Sequence, residues 1–266
     1  MSDIVESFTQ DNANELILQN LLGFYRIIYT DFPGVELFDE PDFFGYKSTD
    51  ERLSLHNFNR IIHIQRSKEE LIKVLAGFSG KPIAFWTPPT TKPSNIYDIL
   101  PGLGFRLIID CPAMACGLDG VDFSRMKVPG LDVKRVTNRE LLDDYTNTYN
   151  QAYNRIPLVG QMHSGRFIKI MSDDSSWQRW VGYIGDEPVT VSDMYLDAGV
   201  AGVYSVFTKE EHRGKGIGLA MTLQPMKEAF DRGYKVSVLQ ATDMSERIYR
   251  RIGFRDVCRY GFWLRL

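Results

Sequence analysis

The sequence predicts an α/β fold of the α+β kind, a mixed, mostly antiparallel sheet with helices on both faces. Three observations carry this. Apolar runs of strand length, rich in β-branched and aromatic residues, alternate with stretches of helical periodicity along the chain. Between Gln178 and Thr208, strand-like runs are separated only by tight turns, at Gly185-Asp186 and Asp197-Ala198-Gly199, which predicts an antiparallel meander. From Val203 to Phe254 the order becomes strand, glycine-rich turn, helix, strand, helix, as expected where helices are layered on a sheet.

In chain order, residues 15–29 (ELILQNLLGFYRIIY) are apolar at helical spacing and predict a helix. Residues 32–50 carry Pro33, Gly34, Pro41 and Gly45 among acidic and aromatic side chains and read as a loop lining a cleft. A strand is expected over 59–65 (NRIIHIQ). A helix follows over 67–78, with Ser67 as N-cap and Glu70 completing a capping box. Residues 82–87 (PIAFWT) form a strand, 94–100 a short helix, and 106–115 (RLIIDCPAMA) a further strand. Gly and polar residues crowd 117–130, the candidate linker between a domain of residues 1–125 and one of residues 131–266. Beyond it come a strand at 131–136, a helix at 138–153 capped by Asn138, an interruption at 156–165, a short helix at 166–171, and then the meander.

Composition narrows the class of function. A net charge of −3 argues against a general nucleic-acid or membrane-surface role. The first twenty residues are acidic and lack an apolar core, so no secretory signal is expected. No apolar run approaches the roughly 20 residues a membrane span needs. The three cysteines, Cys111, Cys116 and Cys258, have no metal-like spacing and read as reduced thiols of a cytoplasmic protein. No metal is expected. Oligomeric state is open.

The chemistry concentrates at Arg213-Gly214-Lys215-Gly216-Ile217-Gly218. Glycines let the backbone adopt positive φ and approach a ligand closely. The first N–H groups of a helix have no intrahelical acceptor and sit at the positive end of its dipole, so the turn is suited to phosphate. Arg213 and Lys215 add two cations there. It is not a Walker A loop, because Gly214-Lys215 is followed by Gly216 rather than Ser or Thr, and a magnesium-dependent nucleotide enzyme is thereby disfavoured. It is not a dinucleotide fingerprint either, because Leu219 stands where the third glycine belongs. No G-x-S-x-G, H-E-x-x-H or paired-cysteine motif occurs.

What fits is R-x-x-G-x-G, as Arg213, Gly216 and Gly218, and this resembles the acyl-CoA-binding turn of the GNAT superfamily of N-acetyltransferases. Tyr249, four residues before Gly253-Phe254, is similar to a second motif of that family, and the resemblance covers about residues 131–266. It implies a GNAT acetyltransferase domain that binds acetyl-CoA (CoA) and transfers the acetyl group directly to the amine of a small molecule or peptide. The backbone of Val206, Phe207 and Thr208 is implied to pair with the pantetheine arm, and Arg213, Gly214, Lys215, Gly216, Ile217 and Gly218 to hold the pyrophosphate. The implied role of Tyr249 is to protonate the leaving thiolate. Thr242 and Ser245 stand where many relatives have Asn and Ala; Thr242 is either a cofactor contact or, like Asp243, a helix cap. Asp193 and His163 are candidates for the general base. Tyr97 before Gly104-Phe105-Arg106 echoes Tyr249 before Gly253-Phe254-Arg255, so the N-terminal half resembles the degenerate partner domain of tandem GNAT proteins. A non-catalytic acyl-CoA sensor or protein-interaction module is the alternative reading. The acidic and aromatic residues Glu36, Asp39, Glu40, Asp42, Phe43 and Phe44 favour a cationic or aromatic acceptor if their loop faces the cleft.

Overall fold

The computed structural model describes residues 3–53, 55–153 and 175–266. His163, the interruption at 156–165 and the helix expected at 166–171 lie outside the described residues. Packing divides the chain into two compact units that alternate along the sequence. The first comprises Met1–Thr9, Ala115–Leu239 and Arg247–Arg255; the second comprises Gln10–Met114, Gln240–Glu246 and Asp256–Leu266. Each therefore draws on both the 1–125 and the 131–266 segments.

In the second unit the strands are β1 (Val35–Glu40), β2 (Phe43–Ser48), β3 (Arg60–Ile64), β4 (Ile83–Thr87), β5 (Arg106–Gly117) and β11 (Arg255–Arg265), in the sheet order β1-β2-β3-β4-β11-β5. β3 and β4 are parallel, while β1–β2, β2–β3 and β4–β11 are antiparallel. Side chains alternate across a strand, so Phe43, Ile61 and Phe85 face one side and Tyr46 the other. On the first side, helices α2 (Lys68–Ala76) and α3 (Ile96–Gly102) add Leu71, Leu75, Ile99 and Leu100 to the core. On the other, α1 (Gln10–Tyr29) stacks Tyr29 on Tyr46 with ring centroids 3.8 Å apart. The Ser67 capping box is present as expected: Glu70 N–H donates to the Ser67 hydroxyl and Ser67 N–H to the Glu70 carboxylate.

Residues 32–50 correct the expectation of a loop. They form the β1–β2 hairpin, because VELFDE and FFGYKS each carry strand-favouring residues and Pro41-Asp42 supplies the turn. Their acids are paired in place: Glu36 with Lys47 at 3.0 Å, Asp39 with Arg26, and Glu40 and Asp42 with Arg66. The Arg26 and Arg66 hydrogen bonds hold the Asp39 and Asp42 carboxyls below the ordinary carboxylate range. The acidic cluster read as a lure for a cationic acceptor is thus engaged by Lys47 of the hairpin, by Arg26 of α1 and by Arg66 just past β3.

In the first unit, β6 (Leu131–Arg135), β7 (Trp177–Ile184), β8 (Glu187–Asp197), β9 (Val200–Thr208) and β10 (Val236–Gln240) run in the order β10-β9-β8-β7-β6. The meander is antiparallel, as the tight turns predict, and only β9 and β10 are parallel. Helix α4 (Arg139–Tyr153) is capped by Asn138, whose side-chain Oδ1 accepts from Leu141 N–H at 2.9 Å. Tyr145 of α4 reaches Asp193 on one sheet face. Helix α5 (Ile217–Asp231) covers the other, where Met221 lies against Gly182. Pro225 is accommodated inside α5, which runs on to Asp231. The segment at 117–130 is not bare linker: it forms two short 3-10 turns, with Phe123 packed on Phe230 at 5.6 Å. No helix among the described residues is long and apolar enough to cross a membrane.

Candidate functional site: a strand divergence beside a glycine turn

β9 and β10 start side by side and then part. Their parallel pairing is confined to Ser237↔Ala201 and Val238↔Gly202. Past Gly202, among the described residues β9 keeps only its antiparallel partner β8, with Val191↔Phe207 and Thr190↔Thr208. The divergence coincides with a β-bulge. Between Val191↔Phe207 and Asp193↔Tyr204, β8 has one residue, Ser192, where β9 has two, Ser205 and Val206. A bulge bends its strand and sharpens the local twist. One edge of β9 from Val203 to Thr208 is thus not paired by β10, and Val206, Phe207 and Thr208 are half-buried along it.

The chain leaves this edge into the glycine turn. Gly214 and Gly216 have φ of 76° and 83°, the left-handed region that side chains with a Cβ rarely adopt. Gly216 is the N-cap of α5 and offers no side-chain cap. The first amide of this helix to find a backbone acceptor is that of Ala220, bonded to the Gly216 carbonyl at 3.1 Å; among the described residues none accepts from Ile217, Gly218 or Leu219. These amides and the helix dipole make an anion-binding end. Arg213 and Lys215 are exposed, and each is steadied by backbone: Arg213 Nε donates to the Thr208 carbonyl at 3.0 Å and Lys215 Nζ to the Glu211 carbonyl at 3.1 Å. A Cβ built on Gly214 would meet nothing within 4 Å, so its openness serves no packing neighbour.

Helix α6 (Glu246–Ile252) closes the other flank. A Cβ on Gly218 would lie 3.7 Å from Thr208 Oγ1 and 3.9 Å from Ile248 Cδ1, so the strand end, the turn and α6 converge there. Tyr249 is buried and packs edge-on against Phe254, centroids 5.9 Å apart. Its carbonyl accepts from the amides of Gly253 and Phe254, which ends the helix. Gly253, at φ 125°, is where glycine is required.

Thr242 is engaged locally: its N–H donates to Ser245 Oγ at 3.1 Å, its hydroxyl lies 3.1 Å from the same oxygen, and its carbonyl accepts from Ser245 and Glu246. That is a capping arrangement at the start of α6, and Thr242 packs in the second unit rather than with Tyr249. Asp193 is not an exposed base. Its carboxylate is 1% exposed and accepts from Tyr145 Oη at 2.5 Å, Ser205 Oγ at 3.2 Å and Trp177 Nε1 at 3.4 Å, with Arg179 Nε 3.6 Å away. Burial pushes its carboxyl up, opposed by Arg179 and the three donors. Sequence reasoning missed this cluster, although an acid inside the apolar run PVTVSDMYL was its visible signal. The carboxylates and imidazole of Glu187, Glu211 and His212 come within 4.8 Å of one another, and Lys209 donates to Glu187 at 2.7 Å.

Residues 189–257 match the family described as the acetyltransferase (GNAT) domain. No curated protein matches. Among solved structures, a GCN5-related N-acetyltransferase from Kribbella flavida superposes with a TM-score of 0.69 at 16% identity, over 95% of each chain. One from Sphaerobacter thermophilus gives 0.57 at 15% identity, over 98% of this chain and 94% of that one. A tandem GNAT protein from the clavulanic acid biosynthesis pathway gives 0.58 at 11% identity, over 99% and 90%. Identities this low establish the fold alone, whereas the family match falls on the segment that holds the bulge, the glycine turn and Tyr249. The chain has the fold of the GNAT N-acetyltransferases, tandem proteins among them, and its residues 189–257 match the GNAT acetyltransferase domain.

Proposed function

We propose that this protein transfers an acetyl group from acetyl-CoA to the amine of a small molecule or peptide, directly and in a ternary complex, using the 131–266 segment, with 1–125 as a degenerate partner domain. The observation that carries this is the divergence of β9 from β10 ending at a left-handed, glycine-capped helix start with three amides that none of the described residues accepts from. The residues present fit the cofactor. The edge at Val206, Phe207 and Thr208 would take the amide-bearing pantetheine arm as a further strand. The amides from Gly214 to Gly218, with Arg213 and Lys215, would take the pyrophosphate. Thr242 contributes through the cap of α6 rather than by touching the cofactor.

When bound, acetyl-CoA supplies the acetyl group as a thioester. The part of Tyr249 is to give its phenolic proton to the departing sulfur, since a phenol and a thiolate have comparable basicity. The acceptor must arrive as the neutral amine, so the rate is expected to rise with pH through the acceptor's own pKa. Release of free thiol from acetyl-CoA, followed across a panel of amines, tests the reading. Amine-dependent release supports it. Tight CoA binding with no turnover across the panel would instead identify a non-catalytic acyl-CoA-binding module.

A further inference from the structure

Among the described residues, only Asp31, Ala198 and Ser205 have positive φ without being glycine. Asp31 and Ala198 lie in turns; Ser205, at φ 56°, lies inside a strand. A side chain there disfavours the conformation, so something must hold it. Asp193 pairs directly with Tyr204, and in regular alternation Ser205 would point to the opposite face from Tyr204. Instead its hydroxyl donates to Asp193 Oδ2 at 3.2 Å. That carboxylate is itself fixed by Tyr145, Trp177 and Arg179, which come from α4 and β7. The guanidinium of Arg179 lies over the Trp177 ring at 4.1 Å and the Tyr145 ring at 4.7 Å, so the cluster is anchored by stacking as well as by hydrogen bonds.

We propose that Asp193 is a positioning residue for the cofactor: through its bond to Ser205 it holds the β9 bulge, and so sets the divergence of β9 from β10. The inference rests on the functional reading above, because the divergence is the edge to which the pantetheine arm is assigned. Asp193 touches no reacting atom. It acts through the backbone of Ser205, the residue immediately before the Val206–Phe207–Thr208 edge.

Ser205 offers a test in which tethering and bulk packing predict opposite orders. Ser205→Ala removes the donor and keeps the steric penalty of positive φ, whereas Ser205→Gly removes the donor and the penalty together. CoA affinity is measured by calorimetric titration on wild type and both variants, with thermal midpoints recorded alongside. The expected result is that Ser205→Ala weakens CoA binding about tenfold, the worth of one hydrogen bond to a charged group. Ser205→Gly is expected to stay within about threefold of wild type, and its thermal midpoint should lie above that of Ser205→Ala, because glycine carries no strain at positive φ. Asp193→Asn, which keeps the shape, should resemble Ser205→Ala in affinity; if it does not fold, the serine pair decides. Equal affinity of Ser205→Ala and wild type overturns the proposal. Equal losses in the Ala and Gly variants also overturn it, because the hydroxyl would then be acting on the cofactor itself. If wild type binds no CoA, the functional reading fails, and that failure is distinct from either outcome among the variants.

Discussion

Tyr145→Phe removes one oxygen from the buried Asp193 cluster and leaves the ring, including its stacking with Tyr149 at 6.0 Å. The lost bond, 2.5 Å long and made to a carboxylate that is 1% exposed, belongs to the charge-assisted class. Such bonds contribute about 1.5–3 kcal/mol, and Trp177, Ser205 and Arg179 still face the carboxylate, so a loss of about 2 kcal/mol is expected. At about 2–4 °C per kcal/mol, the melting midpoint should fall by about 4–8 °C. The pH dependence gives a second handle. Burial raises the Asp193 carboxyl above its ordinary 3.8, and Tyr145 is one of the groups holding it down. A carboxyl raised on folding binds more protons in the native state between its unfolded and folded values, so stability falls as pH rises through that window. Removing Tyr145 lifts the folded value further. The destabilisation should therefore be full above the window and shrink as pH falls toward 3.8. Urea unfolding of wild type and variant, at neutral pH and at successively lower pH, reads both effects. A difference below about 0.5 kcal/mol at neutral pH, or one that grows on acidification, would refute the assignment of that bond to an ionised, buried Asp193.

Further expectations concern the site and its scaffold. Tyr249→Phe should reduce turnover about 10²–10⁴-fold while leaving CoA affinity near wild type, because only the proton donor is lost; an unchanged turnover removes Tyr249 from the chemistry. Ser67→Ala should cost about 1 kcal/mol in urea unfolding through loss of the α2 capping box. Gly261→Ala should destabilise by about 1–3 kcal/mol, because the new methyl would lie 2.5 Å from both Thr87 Oγ1 and Tyr97 Oη. A fragment of residues 1–125 lacks β11, which lies between β4 and β5. It is expected to melt without a cooperative transition, and a cooperative, monomeric fragment would contradict that.

Local signals were legible where the physics is local. The capping box at Ser67 and the cap at Asn138 follow from side-chain spacing, and each is seen as a hydrogen bond. The glycine turn was legible because positive φ at Gly214 and Gly216 is a demand only glycine meets cheaply. Residues 32–50 misled because glycine, proline and acidic residues suggest loop, while the pairing that makes a hairpin, Val35↔Ser48 to Glu40↔Phe43, depends on a partner strand. The placement of β11 beside β4 joins residues far apart in sequence and leaves no local mark. The same is true at the N-terminus, where Val5 N–H bonds to the Gly199 carbonyl at 3.0 Å. At the site, the sequence supplied the turn and Tyr249 but not the bulge at Ser205. A serine with φ 56° is set by its neighbour across the sheet, not by its own preference.

The most direct test of the account is calorimetric titration of CoA and acetyl-CoA into wild type and Gly216→Trp. At φ 83° a bulky side chain is strained, and it would crowd the amides that open α5. The account predicts micromolar binding to wild type and none to the variant, with the melting midpoint of the variant showing that it still folds. Absence of binding to wild type, or equal binding by both proteins, would contradict the placement of the cofactor on this turn.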